Sequence, residues 1–191
     1  MTAVATAIRE KKYTVEEYFE LERHSTLRHE FVNGKLYKML GGSRVANRIA
    51  GNCTFQFGFL LDKGYDIIRH DVRTIIQSGQ RYRYPDLAIA KRSDDRDSHG
   101  VTQPELLIEV SSENSDKTDN TDKVTEYTAL NSLHYYLIIS QEEPLVHVYS
   151  RDAKGWRFDV FRKLNQKINL PHFDCSLTLK DIYKNVVFAE A

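Results

Sequence analysis

Three side chains, Asp86, Glu109 and Lys123, have the types and the order that chemistry on a phosphate ester requires. Two carboxylates brought to one place offer hard oxygen ligands to Mg²⁺ or Mn²⁺. Such an ion keeps several waters, so it can still take up a phosphate and activate a water for attack. A lysine beside the pair would offset the negative charge that builds on the phosphate. Asp86 follows Tyr84-Pro85, and Glu109 lies 23 residues further on, inside Glu105-Leu106-Leu107-Ile108-Glu109-Val110. Lys123 shares a helical face with Asp119 and Tyr127 by i, i+4 spacing.

Each of these residues also has a plainer reading. Asp after Pro is a common turn or cap residue. Lys123 can equally be a solvated partner of Asp119. Glu109 is harder to dismiss, because a carboxylate in an apolar strand is costly to bury alone; a structural ion pair and a functional group both stay open.

The elements that must position these groups are legible in outline. Glu105 to Val110 is almost continuously apolar apart from its acids, the pattern of a central strand covered on both faces. A polar stretch, Ser111 to Asp119, leads into a helix with Val124, Tyr127 and Leu130 on one side, then into the buried strand Tyr135 to Ile139. Strand, helix, strand is a βαβ unit. Upstream, Tyr65 to Arg69, Val72 to Gln77 and Leu87 to Ala90 read as neighbouring strands, separated by Ser78-Gly79-Gln80 and by the connector Arg81 to Pro85. Val45, Ile49, Cys53, Phe57 and Leu60 recur at helical spacing from Ser43 until Gly64 stops them. Thr14 caps a short helix whose inner face carries Val15, Tyr18, Phe19 and position 22; a turn at Asn33-Gly34 bends the segment Phe31 to Leu40. Leu145 to Tyr149 and Trp156 to Phe161 form a C-terminal hairpin, followed by a short helix near Leu179 to Tyr183. The fold class is α/β of the mixed α+β kind, a mixed central sheet flanked by helices.

Composition sets the bounds. With 191 residues, 41% of them hydrophobic and 28% charged, the chain can bury one core, read as a single domain over 13–191 behind a disordered N-terminus, 1–12. Lys plus Arg equal Asp plus Glu at 27 each, so nucleic-acid binding would need a local patch. Arg69, Arg73, Arg81 and Arg83, interleaved with Tyr82 and Tyr84, offer one; the same segment also reads as an edge hairpin with solvated charges. Cys53 and Cys175 form no C-x-x-C pair and the seven histidines no zinc pattern, so both thiols read as reduced and His29 and His70 as structural or surface groups. Ser111 and Ser112 have no evident histidine base, against a serine hydrolase. The first dozen residues lack the apolar stretch of a signal peptide, and no segment approaches 18 uncharged apolar residues, which points to a cytoplasmic protein without a membrane partner.

Tyr84-Pro85-Asp86 followed by Leu107-Ile108-Glu109-Val110-Ser111 resembles the PD-(D/E)XK nuclease superfamily. The superfamily's lysine usually stands two residues after the glutamate, where this chain has Ser111; Lys123 matches a known relocation to the next helix, and its spacing to Tyr127 is similar to a helix motif of RecB-type nucleases. More closely, Tyr13-Thr14-Val15-Glu16-Glu17-Tyr18, Arg28-His29-Glu30-Phe31-Val32-Asn33-Gly34, Tyr84-Pro85-Asp86-Leu87, Glu109-Val110-Ser111-Ser112 and Asp119 to Lys123 resemble, in order, a bacterial family called domain of unknown function 820, whose members are described as restriction endonucleases. Where that family commonly has a Pro after the strand, this chain has Ser112-Glu113-Asn114-Ser115. The resemblance implies a restriction-endonuclease-like core and Mg²⁺- or Mn²⁺-dependent hydrolysis of DNA phosphodiester bonds. Asp86 and Glu109 would hold the metal, with Lys123 as electrostatic stabiliser. Glu30, the family's N-terminal acid, would reach the metal directly or through water; its plainer reading is a loop or cap salt bridge. A homodimer is compatible with one site per chain acting on a duplex. Two other readings stay open: a catalytically silent nucleic-acid- or protein-binding chain on the same fold, and a small-molecule phosphoesterase with a closed pocket.

Overall fold

A computed structural model describes residues 11–39, 41–92, 98–112 and 117–188, and of residues 117–120 the backbone alone. In chain order the elements are α1 (Val15–His24), β1 (His29–Val32), β2 (Lys35–Lys38), α2 (Arg44–Gln56), a 3₁₀ helix (Gly58–Lys63), β3 (Tyr65–Ile68), β4 (Arg73–Gln77), β5 (Arg81–Arg83), β6 (Leu87–Lys91), β7 (Gly100–Val101) and β8 (Pro104–Ser111). Then follow α3 (Lys117–Thr128), β9 (Tyr135–Ser140), β10 (Val146–Asp152), β11 (Gly155–Phe161), β12 (Lys167–Leu170), a 3₁₀ turn (Pro171–Phe173), β13 (Cys175–Thr178) and α4 (Leu179–Ile182).

The larger sheet has the order β11-β10-β9-β8-β6-β3. β8 and β9 run parallel through the α3 crossover, and the other pairings are antiparallel, so the mixed sheet and the βαβ unit expected from sequence are present. Both faces of β8 are covered. Leu106, Ile108 and Val110 enter the main core with Ile49, Ala50 and Cys53 of α2, while Leu107 packs with Tyr127 of α3 and Tyr136 of β9. Because side chains alternate along a strand, Glu109 falls on the α3 face with Leu107.

A second sheet, order β2-β1-β5-β4-β7, packs against α1. Thr14 and Glu17 close a capping box at the start of α1. Tyr18 then stacks on Phe31 with ring centroids 5.1 Å apart, and Phe19 meets Tyr82 edge-on at 5.2 Å. This sheet corrects two sequence expectations. The Val72 to Gln77 run does not neighbour β3 and β6: as β4 it pairs with β5 and β7. Arg81 to Arg83 is no connector but the strand β5 between β1 and β4. The reason is the alternation itself, which turns Tyr82 into the aromatic cluster under α1 and the two arginines to the opposite face.

The helix expected through Leu60 is divided. α2 stops at Gln56, Phe57 caps it at φ −91°, ψ 0°, and a 3₁₀ helix carries Leu60 into the core before Gly64 ends it at φ +80°. Gly58 at the junction is a poor α-helix former. Cys53 and Cys175 are both free thiols. No helix among the described residues is long and apolar enough to cross a membrane. Residues 1–10, Leu40, the acidic cluster Asp94-Asp95-Arg96-Asp97, Glu113 to Ser115 and the side chain of Asp119 lie outside the described residues.

β1 carries Glu30, and its register is set by the turn at its end. Asn33 (φ +51°) and Gly34 (φ +86°) both have positive φ, the signature of a type I′ hairpin turn. Tyr13 N donates to Gly34 O at 2.7 Å. A Cβ at Gly34 would meet the Tyr13 carbonyl oxygen at 3.3 Å. Gly34→Ala is therefore expected to cost about 1 kcal/mol or somewhat more, read as a lower urea midpoint at unchanged m-value.

Candidate active site

The four acidic and basic residues singled out from the sequence meet where the two sheets join. Leu87 of β6 faces Ile108 of β8, and one further step of that antiparallel register sets Asp86 opposite Glu109. Val110 N, at the end of β8, donates to Asp86 Oδ2 at 2.7 Å and fixes that carboxylate. Glu109 Oε1 accepts a hydrogen bond from Tyr127 Oη at 3.0 Å and lies 3.2 Å from Lys123 Nζ. Tyr127 and Lys123 are one turn apart on α3; Tyr127 is wholly buried and meets Tyr136 edge-on at 4.9 Å, which seats the helix and with it the lysine. Lys123 is no solvated surface group, since its side chain is only 11% exposed, and Nζ also lies 3.5 Å from Glu30 Oε1.

Glu30 is held from several sides. Arg83 Nη1 donates to its Oε2 at 2.6 Å, and Tyr84 N approaches Oε1 at 3.4 Å. Two further donors of the Arg83 fork go to Glu126 on α3, Nε to Oε2 at 2.8 Å and Nη2 to Oε1 at 3.1 Å, and Arg81 Nε lies 3.2 Å from the same carboxylate. The Arg83 side chain is 4% exposed, so it neither faces a nucleic-acid backbone nor forms part of a solvated edge; Arg73 stacks its guanidinium on Phe19 at 4.6 Å.

Sequence reasoning missed Arg83 as an internal cation, Glu126 as its second partner, and the support behind them. Glu22 on α1 is buried; its Oε1 accepts from His29 N at 3.1 Å and meets His29 Nδ1 at 2.8 Å, and its Oε2 accepts from Tyr84 Oη at 2.9 Å. This carboxylate therefore ties together the residues just before Glu30 and just before Pro85-Asp86. One signal was available: position 22 falls on the apolar stripe of α1, where an acid needs partners. His70 stands at φ +36° with Nδ1 3.7 Å from Asp86 Oδ1, at the mouth of the site.

The three carboxylates are driven in different directions. Burial would raise Glu30, but Lys123 and Arg83 together outweigh it and hold the group below the usual carboxylate range. Burial also dominates at Glu109 and pushes it up to about 7; Lys123 works against the rise, and Asp86 and Glu30 add to it. Asp86 is raised as well, by burial first, with the Val110 hydrogen bond opposing. Asp86 and Glu109 are thus two neighbouring carboxylates with an unmet demand for positive charge.

Among the described residues no group of three or more His, Cys, Asp and Glu is arranged to hold a metal. The donor set nevertheless suits a hard divalent ion held by two carboxylates that completes its shell with water and substrate oxygens, the usual habit of Mg²⁺. Asp86 Oδ1 and Glu109 Oε2 take no hydrogen bond among the described residues. Both Glu30 oxygens are engaged by Arg83 and Lys123, which suits that residue to holding the lysine.

The chain as a whole has known relatives. The family model Uma2, described as "Putative restriction endonuclease", matches residues 15–180. An uncharacterized protein of Synechocystis sp. is 27% identical over 179 residues, covering 93% of this chain and 94% of its own. Another from the same organism is 32% identical over 149 residues, covering 74% and 80%. The crystal structure of "a putative nuclease belonging to DUF820" from Anabaena variabilis superposes with a TM-score of 0.73 over 91% of this chain and 99% of that one, at 17% identity, a likeness of fold.

Two outcomes follow from the electrostatics. With Glu109 raised from 4.5 to about 7, the folded state binds the extra proton, so stability falls as pH rises from 4.5 to 7 and stays low above it. The penalty is about 3 kcal/mol at 1.4 kcal/mol per unit. In EDTA, Glu109→Gln should melt near the wild type at pH 4.5 and clearly above it at pH 8; equal melting temperatures at pH 8 would refute the raised carboxyl. Arg83→Ala removes the guanidinium that bonds both Glu30 and Glu126, leaving them Lys123 and Arg81, and should cost roughly 3 kcal/mol in urea unfolding.

Proposed function

The chain belongs to the Uma2 family, and on that premise we propose that it is a divalent-metal-dependent nuclease hydrolysing DNA phosphodiester bonds. Asp86 and Glu109 are the ligands for Mg²⁺ or Mn²⁺, and Lys123 is the cation that meets the phosphate. The observation that carries this reading is the pair of raised, register-opposed carboxylates, Asp86 and Glu109, beside a lysine held in place by Glu109 itself and by Glu30.

Each residue has a separable task. Val110 N–H and Tyr127 O–H orient the two ligand carboxylates and hold one oxygen of each. Arg83 keeps Glu30 ionised, and ionised Glu30 holds Lys123 at the site. From there the ammonium can offset negative charge developing on a phosphate, at little reorganisation cost because it is already in place. When bound, the metal supplies Lewis acidity at the phosphate and a lowered pKa for the attacking water. Glu109 must shed its proton to serve as a ligand, so metal affinity and cleavage should rise together as pH passes through 7.

The deciding assay is cleavage of supercoiled plasmid, linear duplex and single-stranded DNA with Mg²⁺ or Mn²⁺. Asp86→Ala, Glu109→Gln and Lys123→Ala are each expected to lose about 100-fold or more in rate while keeping a wild-type circular dichroism spectrum. Titration calorimetry with Mn²⁺ should show weakened binding for the two carboxylate variants alone. Undiminished cutting by Asp86→Ala, or a wild type that cuts none of the substrates, would overturn the assignment.

A further inference from the structure

β11 ends the larger sheet, and β10 is its only strand neighbour among the described residues. Its register runs unbroken from Val146↔Phe161 to Asp152↔Gly155, and its seven residues include no proline, so two of the usual devices for blunting an edge are missing. The strand is also firmly held. Trp156 Nε1 donates to Thr128 O at 2.9 Å, and Arg151 lies over the Trp156 ring at 4.7 Å while donating to the carbonyls of Thr128, Leu130 and Asn131.

Alternation gives β11 two unlike faces. Trp156, Phe158 and Val160 share one, where Phe158 leans on Tyr149 with centroids 4.9 Å apart yet stays 49% exposed, as Val160 does at 41%. Arg157 and Asp159 share the other and pair with each other at 2.7 Å, both partly in solvent. An apolar row backed by two opposite charges thus runs along an edge that no other strand covers among the described residues.

We propose that β11 pairs antiparallel with β11 of a second copy of this chain about a two-fold axis at Phe158, forming a homodimer with one continuous sheet. Directly opposed residues of an antiparallel pair point to the same side, so a symmetric pairing must centre on a residue. Centring on Phe158 sets Arg157 against Asp159 of the second copy, Trp156 against Val160, and Phe158 against itself. A centre at Arg157 or at Asp159 opposes like charges on the axis. Only a centre at Phe158 opposes Arg157 to Asp159, so the charge pattern selects that register, and it identifies the occupant as a second copy because one strand supplies both halves of the charge match. An axis normal to the sheet reverses strand direction, so the two carboxylate sites open at opposite ends, and the pairing is independent of the chemistry at Asp86.

Light scattering and sedimentation velocity on the full chain test this. The wild type should show twice the 22.2 kDa chain mass. Arg157→Asp and Asp159→Arg should each raise the dimer dissociation constant about tenfold or more. An equimolar mixture of the two variants should regain the dimer, because every reversed charge then faces an opposite one across the axis although the pair within each chain stays repulsive. Unchanged melting curves certify the variants as folded. A wild type that stays monomeric to roughly 100 μM, a dimer unmoved by either substitution, or a mixture that stays monomeric would overturn the proposal. Asp86→Ala should remain dimeric, which separates this result from the cleavage assay.

Discussion

A carboxylate taken out of water costs several kcal/mol unless a cation or a set of donors meets it, and this protein gathers such groups around one lysine. Lys123 lies between Glu30 and Glu109, which come from different sheets, while the lysine itself comes from the helix that joins β8 to β9. The ion-pair cluster is thus also the joint of the molecule. For it to close, α3 must be seated by Tyr127, β1 must lie beside β5 so that Arg83 can reach Glu30, and Asp86 must begin β6 in register with the end of β8.

Within the cluster, anchoring and reactivity are divided between like residues. Glu30 receives a guanidinium and an ammonium and is held ionised, a settled buried charge. Glu109 and Asp86 receive less compensation than their burial requires and keep raised affinities for protons. On the proposed function, a divalent ion bound there would supply the positive charge that the chain withholds. The cost is borne by the core behind β8, where Leu106, Ile108, Leu137 and Ile139 are fully buried against α2 and the C-terminal elements.

The C-terminal hairpin contributes from further away. Arg151 and Trp156 satisfy carbonyl groups at the end of α3, as basic side chains do at helix C-termini. They thereby brace the helix that carries Lys123 and Tyr127. The same bracing holds β11, so the sheet edge proposed to pair is also tied to the site's helix.

Local spacing was enough to read the parts. The uninterrupted apolar run around Glu109, the helical period after it, the Asn33-Gly34 turn and the hairpin at Asp152 to Gly155 each follow from which neighbours a strand or helix brings to one face, and the α/β class follows from their order. The acids and the lysine stood out because a charge inside an apolar pattern demands a partner. Which partner it finds is not a local property. Arg83 and Arg73 both stand in short β-rich runs, yet one is buried between Glu30 and Glu126 and the other stacks on Phe19. Assigning Val72 to Gln77 to the smaller sheet, holding Glu30 ionised and lifting Glu109 towards neutrality likewise depend on long-range register and on the distances between groups remote in the chain. Residue types and periods are written in the sequence; burial and the sum of charges at a point exist only once the strands are paired, and tertiary structure alone decided them.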